Sequence, residues 1–405
     1  MMGSDSKFLR LFIIGSMLVL SAASFCITRT SFHSDQLMLR AAPKRLEGNT
    51  DGILYVNDRC INCAACSNFS PTVFERSASE LKHVVCKQPT LQNLHELEEA
   101  RAALAACPVA AIRVENTNLE ENELLLKRAL SIKQSKDEKE LFPRPIANDL
   151  DLGVHYLGHH NDASFGAIPY LVRGKSFEGD VVFVMVDVPK FSAKSVKAVK
   201  SLSPNGPEYL FLTHVDDTAD HNKWAKEFPN MKRIFHAGDL GRNNWIGDST
   251  LEDVEILLKE NTEVGAKEKM MIWDIEGNLV DDIEGMNEEA FVILHTPGHS
   301  PGSISLLFRP KLDSSHRCNG ILFTGDTYSW TTRDGGKMTG FPRYGNNLSQ
   351  QAQTLRQIGK TSNLWDIVAP GHGHLRSYLK LKEGENTAKI KGEDVDTAIS
   401  ELLSY

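Results

Sequence analysis

The stretch Leu212-Thr213-His214-Val215-Asp216-Asp217-Thr218-Ala219-Asp220-His221 limits what this chain can fold into more than any other. It sets two imidazoles and three carboxylates close together, directly after the apolar run Tyr209-Leu210-Phe211-Leu212. An apolar run that ends in His and Asp reads as a buried strand delivering metal ligands to a sheet edge. Imidazole together with carboxylate suits zinc, iron or manganese better than calcium or magnesium. Three further apolar runs end the same way. Leu294 leads into His295-Thr296-Pro297-Gly298-His299, Phe323 into Thr324-Gly325-Asp326, and Val368 into Ala369-Pro370-Gly371-His372-Gly373-His374. Glycine in each turn lets the backbone double back so that one side chain projects over the sheet edge. One such strand end is unremarkable, whereas four in series point to a shared metal site.

The surrounding pattern supports this reading. From residue 149 onward, strands are expected at 167–172, 181–186, 208–212, 233–235, 290–294, 303–308, 321–323 and 366–368. Helices are expected at 192–202, 220–228, 251–259 and 348–358, with a short amphipathic helix at 393–403. Strands alternating with helices in this way predict two sheets sandwiched between helices.

The N-terminal third is a different module. Cys60-Ile61-Asn62-Cys63-Ala64-Ala65-Cys66 puts three thiols on one tight loop, and Cys107-Pro108 supplies a fourth after a helical stripe of Leu91, Leu94, Leu97 and Leu104. Strands are expected at 52–56, 73–74, 83–86 and 111–114. A cubane needs this division, because one short loop cannot wrap all four irons. Four of the seven Cys in one spacing argue for a cluster or metal site in a reducing compartment rather than a disulfide framework. A structural zinc site is the alternative, although such sites usually pair two C-x₂-C hooks. Cys86 and Cys318 read as small buried hydrophobes. The net charge of −8 argues against a general nucleic-acid binder.

Residues 47–116 resemble a bacterial-type ferredoxin with one [4Fe–4S] cluster, which implies Cys60, Cys63, Cys66 and Cys107 as cluster ligands. Residues 149–385 resemble the metallo-β-lactamase superfamily, whose motifs run His-x-His-x-Asp-His, Pro-Gly-His, Gly-Asp and Gly-His. Together these resemblances imply an α+β chain: a small ferredoxin-like domain followed by an αββα sandwich holding one or two divalent metals, zinc or iron. Carried over residue by residue, His299, Asp326 and His372 match the last three motifs, His214 the first His, and Asp220-His221 the Asp-His pair. The opening motif departs from the family: Asp216 stands where the second His belongs, and two extra residues precede Asp220. In one reading His214, Asp216 and His299 hold one metal and Asp220, His221 and His372 the other, with Asp326 bridging. In the other, Asp216 or Asp217 caps the helix that begins near Thr218. Asp217 is assigned to capping or to support of the ligands, and His159, His160, His236, His295 and His374 to support or surface roles.

The family resemblance implies hydrolysis of an ester, thioester or lactone small molecule by a metal-activated hydroxide that Asp220 orients. Two other functions remain open. Flavodiiron proteins of the same superfamily also replace the second His by a carboxylate, and a fused ferredoxin module suits a diiron redox enzyme fed by an electron donor such as a reductase. The third reading is a non-catalytic electron-transfer or redox-sensing protein.

Residues 117–148 form a charge-rich helix-to-linker segment ended by Pro143 and Pro145, and residues 386–405 hold the closing helix. Residues 1–46 read as a leader. Lys7 and Arg10 precede the apolar run 11–20, followed by Ser21-Ala22-Ala23-Ser24. That run is too short to span a bilayer, so no stable membrane insertion of the mature protein is expected. Residues 25–45 carry Arg29, Arg40, Lys44, Arg45 and a single acid, Asp35. This is transit-peptide composition behind a signal peptide, resembling the bipartite leader of algae with secondary plastids, in which Phe25 would follow the cleavage site. Plain secretion is the alternative, although it would expose a [4Fe–4S] protein to oxidation. A fluorescent fusion of residues 1–50 is expected to enter plastids; signal only in the secretory pathway would overturn the transit reading.

Overall fold

The computed structural model describes residues 42–132, 140–176, 178–259, 270–281, 283, 289–310, 318–379, 381 and 386–405. The leader up to residue 41 and linker residues 133–139 lie outside them. Among the described residues, no helix is long and apolar enough to cross a membrane.

Side-chain alternation along the strands generates the layers. Val184 and Val186 pack into the same buried cluster as Ile293, Leu306, Phe323 and Ile367, which places that cluster between two sheets. The intervening Met185 faces the other way, joining Leu171, Leu210 and Leu212 against Val199, Trp224 and Phe228 of the helical layer. On the second sheet Val292 and Leu294 likewise face outward, meeting Leu355, Ile358, Val395 and Leu402. The result is an αββα sandwich.

The first sheet has seven strands in the order Ile256–Leu258, Lys232–His236, Tyr209–Phe211, Val181–Val186, Tyr170–Lys175, Val154–Tyr156 and Arg144–Pro145. The four strands from Val181–Val186 to Ile256–Leu258 run parallel. The second sheet has six strands in the order Ile272–Trp273, Phe291–His295, Ile304–Phe308, Ile321–Gly325, Ile367–Pro370 and Arg376–Ser377. Helices Ala193–Leu202 and His221–Glu227 cover the first sheet, and Leu348–Lys360 and Thr387–Ser404 cover the second.

Ahead of the sandwich, strand Leu54–Val56 pairs antiparallel with Ile112–Val114, and Phe74–Arg76 with His83–Val85. Helix Leu94–Ala106, capped by Asn93, presents Leu97, Ala100 and Ala103 inward. Leu94, expected on the buried stripe, stands in solvent. Phe69 packs edge-on against Phe142 and Tyr156 at 5.1 Å each, so the small module shares the sandwich's inter-sheet core.

Several expectations are corrected. Residues 251–259 form no α-helix: Ser249–Asp253 is a 3₁₀ turn and Ile256–Leu258 an edge strand, because a short apolar run fits either period. The strand expected at 167–172 is Tyr170–Lys175, which leaves 158–169 as a loop beside the site. The first sheet already begins at Arg144, inside the span read as linker. The closing helix is longer than expected, at Thr387–Ser404. Cys86 lies just beyond its strand and is half-buried, whereas Cys318 is buried.

Buried Asp239 ties two of the motif turns together. Its carboxylate accepts from Val215 N (3.0 Å), Ser300 Oγ (2.7 Å) and Gly302 N (2.6 Å). Asp239→Ala leaves these buried donors unpaired and is expected to cost about 2–4 kcal/mol in urea unfolding. Native-like stability would contradict this role.

Candidate metal centre and cluster site

Each motif side chain leaves the end of a strand. His214 follows Tyr209–Phe211 by three residues, and the 3₁₀ turn Val215–Asp217 then carries Asp216 and Asp217. His299 stands in the turn after Phe291–His295, Asp326 directly after Ile321–Gly325, and His372 two residues after Ile367–Pro370. Gly371 is needed for a local reason: a Cβ there would lie 2.9 Å from Asp217 Oδ2 and 3.2 Å from Asp326 Oδ1.

These side chains form two groups of ligand-type atoms. In the first, Asp216 Oδ2 is 3.7 Å from His214 Nε2 and 3.8 Å from His299 Nε2. The second comprises Asp217, Asp326 and His372, with His372 Nδ1 at 2.8 Å from Asp326 Oδ1 and 4.0 Å from Asp217 Oδ2. Asp326 joins the groups, since its Oδ2 lies 3.8 Å from His299 Nε2.

Neighbouring side chains orient several of these atoms. Thr213 Oγ1 donates to Asp187 (2.9 Å) and sits 3.0 Å from His214 Nδ1, which can donate to it and so leave Nε2 as the free lone pair. Trp245 Nε1 donates to Asp216 Oδ1 at 2.6 Å, leaving Oδ2 toward the two imidazoles.

The electrostatics of these groups favour a bound cation. Burial, with His299 beside it, pushes His214 down to about 4, so it is a neutral donor. Burial also raises Asp217 far above the carboxylate range. Burial opposes protonation of His372, but Asp326 and Asp217 outweigh it and push that imidazole up to about 10. Asp326 is correspondingly lowered: burial opposes its ionisation, and His372 more than offsets it. His214 Nε2, His299 Nδ1, His372 Nε2 and both Asp217 oxygens are buried without a hydrogen-bond partner. Bare buried carboxylate oxygens cost several kcal/mol unless a cation takes them. The donor set fits two divalent metals.

Five of the seven sequence candidates converge: His214, Asp216, His299, Asp326 and His372. Asp220 and His221 do not, which corrects the opening motif. Asp220, at φ 68°, ends the turn before helix His221–Glu227, and its carboxylate receives Asn161 Nδ2, Phe191 N and Lys223 Nζ. His221 is buried among Arg233 (3.2 Å), Asp248 (3.2 Å) and Thr250 (3.0 Å). Asp217 stands in the second group where Asp220 was expected. The sequence signal was its adjacency to Asp216 in a turn beginning with His214, but a helix cap competed for the same residue. His159, His160, His236, His295 and His374 join neither group. His236 and His295 instead stack at 4.2 Å.

Cys60, Cys63, Cys66 and Cys107 line one cavity with Val56, Ile61, Ala111 and Ile112. Burial raises Cys60 and Cys66, and raises Cys63 to about 12, with the neighbouring cysteines adding to each. Four thiolates cannot share an apolar pocket without cations, so the set fits an iron–sulfur cluster. Backbone N–H groups of Asn62 and Ala111 point at Cys60 Sγ (3.4 Å) and Cys107 Sγ (3.2 Å), the kind of bond that tunes a cluster's potential.

Residues 56–114 match the 4Fe-4S single cluster domain of Ferredoxin I. No curated protein matches the sequence. The solved structures it resembles include DIM-1 metallo-beta-lactamase, at 15% identity over 56% of this chain and 93% of that one, with a TM-score of 0.33. The MIM-1 enzyme from Novosphingobium pentaromativorans is similar at 16% identity, 62% and 89% coverage and a TM-score of 0.34. A metallo-beta-lactamase from Erythrobacter litoralis is similar at 12% identity, 60% and 93% coverage and a TM-score of 0.36. The chain thus joins a ferredoxin-type single-cluster module to an αββα sandwich whose layers are defined by its own strand order and packing.

Asp217→Asn is expected to lose about one metal equivalent per chain after loading and desalting, whereas Asp220→Asn retains both. Equal metal contents in the two variants, measured by mass spectrometry, would contradict the assignment of Asp217.

Proposed function

We propose that the chain is a binuclear metal-dependent hydrolase acting on an ester, thioester or lactone. The observation that carries this reading is the buried pair of ligand groups sharing Asp326, with Asp217 bare on both oxygens. Three carboxylates facing two divalent cations leave one positive charge, matched by a single anionic nucleophile. Redox-inert metals supply that nucleophile at neutral pH, lowering the pKa of water from 15.7 to about 7. The protein's own contribution is positioning. Asp187 and Thr213 set the tautomer of His214, Trp245 fixes the rotation of Asp216, and Asp217 takes over the part expected of Asp220. Loaded with zinc, the protein is expected to hydrolyse members of an ester, thioester and lactone panel. Asp326→Ala should lower kcat/KM by about 100-fold or more. Turnover that survives both this variant and chelation would sink the proposal.

A second reading is favoured by the donor count. Three carboxylates to three imidazoles is a harder set than zinc usually receives, and it suits iron. In that case the chain is a diiron redox enzyme supplied with electrons by a partner such as a reductase. Anaerobic purification separates the two readings: about four iron and four sulfide with zinc supports hydrolysis, and about six iron supports redox chemistry. Operation in plastids is part of the proposal, resting on the leader composition alone.

A further inference from the structure

Two contacts join the cysteine cavity to the loops of the metal site. The first runs through the loop at 158–169. Gly166, at φ 89°, lies so close to the cluster loop that a Cβ would sit 2.9 Å from Cys63 Sγ, 2.7 Å from Cys63 Cβ and 3.2 Å from Pro108 Cγ. Two residues on, Ile168 N donates to Gly371 O at 2.7 Å, directly before His372. The Gly166 carbonyl holds buried His160 through Nδ1 at 2.9 Å, which fixes the loop in this position.

The second contact is a buried His-Ser-His bridge. Ser67 adjoins Cys66, and its Oγ lies 3.0 Å from His83 Nε2 and 2.8 Å from His374 Nε2. His83 lines the cysteine cavity, and His374 is two residues from His372. Ser67 Oγ can donate to Ala64 O (3.1 Å), which lets both imidazoles present N–H to it. Both histidines then keep a buried Nδ1 without a partner, a cost that an apolar interface would avoid. Docking alone is already served by the ring contacts of Phe69 with Phe142 and Tyr156.

We propose that Cys63, Gly166 and Ile168 on one path, and Ser67 and His374 on the other, form an electron-transfer link, so that the cluster is the port through which the metal pair receives electrons. This goes beyond hydrolysis and rests on iron occupying the pair. Tunnelling weakens steeply at each through-space gap. The first path has one van der Waals gap at Gly166 and one hydrogen bond, from Ile168 N to Gly371 O, beside His372. A low-potential one-electron donor of the reduced-ferredoxin or reduced-flavin class gives one electron to the oxidised cluster. The reduced cluster returns to its 2+ state as one ferric ion becomes ferrous. No bond to the protein forms or breaks, and a second turn reduces the second iron.

The test uses the whole chain with its cluster, with ferric iron or zinc loaded into the metal pair. A light pulse with a flavin photoreductant reduces the cluster, and its visible absorbance is followed under anaerobic conditions. In the iron-loaded protein the cluster is expected to reoxidise at a rate independent of protein concentration, while in the zinc-loaded protein it stays reduced. Gly166→Val and Ser67→Ala should each slow that recovery by about twofold, and the double variant by about tenfold, at unchanged iron and sulfide content. The Ser67→Ala result stands alone should Gly166→Val fail to fold. A cluster that stays reduced in both forms overturns the proposal, as do native recovery rates in both variants or a failure of the metal pair to take up iron. Ester hydrolysis by the zinc-loaded protein survives each of those failures, so loss of this link is distinguishable from loss of the hydrolytic reading.

Discussion

Asp217 is buried with both carboxylate oxygens bare, beside Asp326 and within reach of a third buried carboxylate, Asp187. Like charges brought together in a dry interior repel strongly, and each also loses its hydration. Cations are the direct way to stabilise such an arrangement, and three nearby imidazoles stand ready as further donors. The strand ends, the glycine turns and the hydrogen bonds of Asp239 follow from the need to hold these groups at one point. Gly371 marks how tight that point is, since even a methyl group there would press on Asp217 and Asp326.

The two sheets serve this arrangement by contributing different ligands. The first sheet supplies His214, Asp216 and Asp217 from one turn. The second supplies His299, Asp326 and His372 from three different strand ends. Asp326 lies between the groups: its Oδ2 is 3.8 Å from His299 Nε2, and Oδ1 and Oδ2 lie 2.8 and 3.1 Å from His372 Nδ1. Separation of the sheets would pull both groups apart, which is why Asp239, spanning the turns at 215 and 300–302, matters to the site as well as to stability.

Much of this was legible in the sequence. The cysteine spacing, the layer pattern, the three glycine turns and the His/Asp turn at 214–217 each follow from local rules, and the structure brings five of the expected ligands together. The misreading lay between Asp217 and Asp220. Both are aspartates near a helix start, and their side-chain directions depend on a 3₁₀ turn and on a left-handed residue at 220 that no periodicity announces. The edge strand Ile256–Leu258 escaped for a similar reason, because a short apolar run fits strand and helix alike. The Gly166 contact with Cys63 was invisible, since it joins segments about a hundred residues apart.

Those long-range contacts pack the cluster module directly against the loops that flank the candidate metal centre. Anomalous scattering from crystals grown anaerobically with metal tests that centre most directly. Two metal peaks are expected in the sandwich, one among His214, Asp216 and His299 and one among Asp217, Asp326 and His372. A single peak, or a metal held by Asp220 and His221, would contradict that assignment.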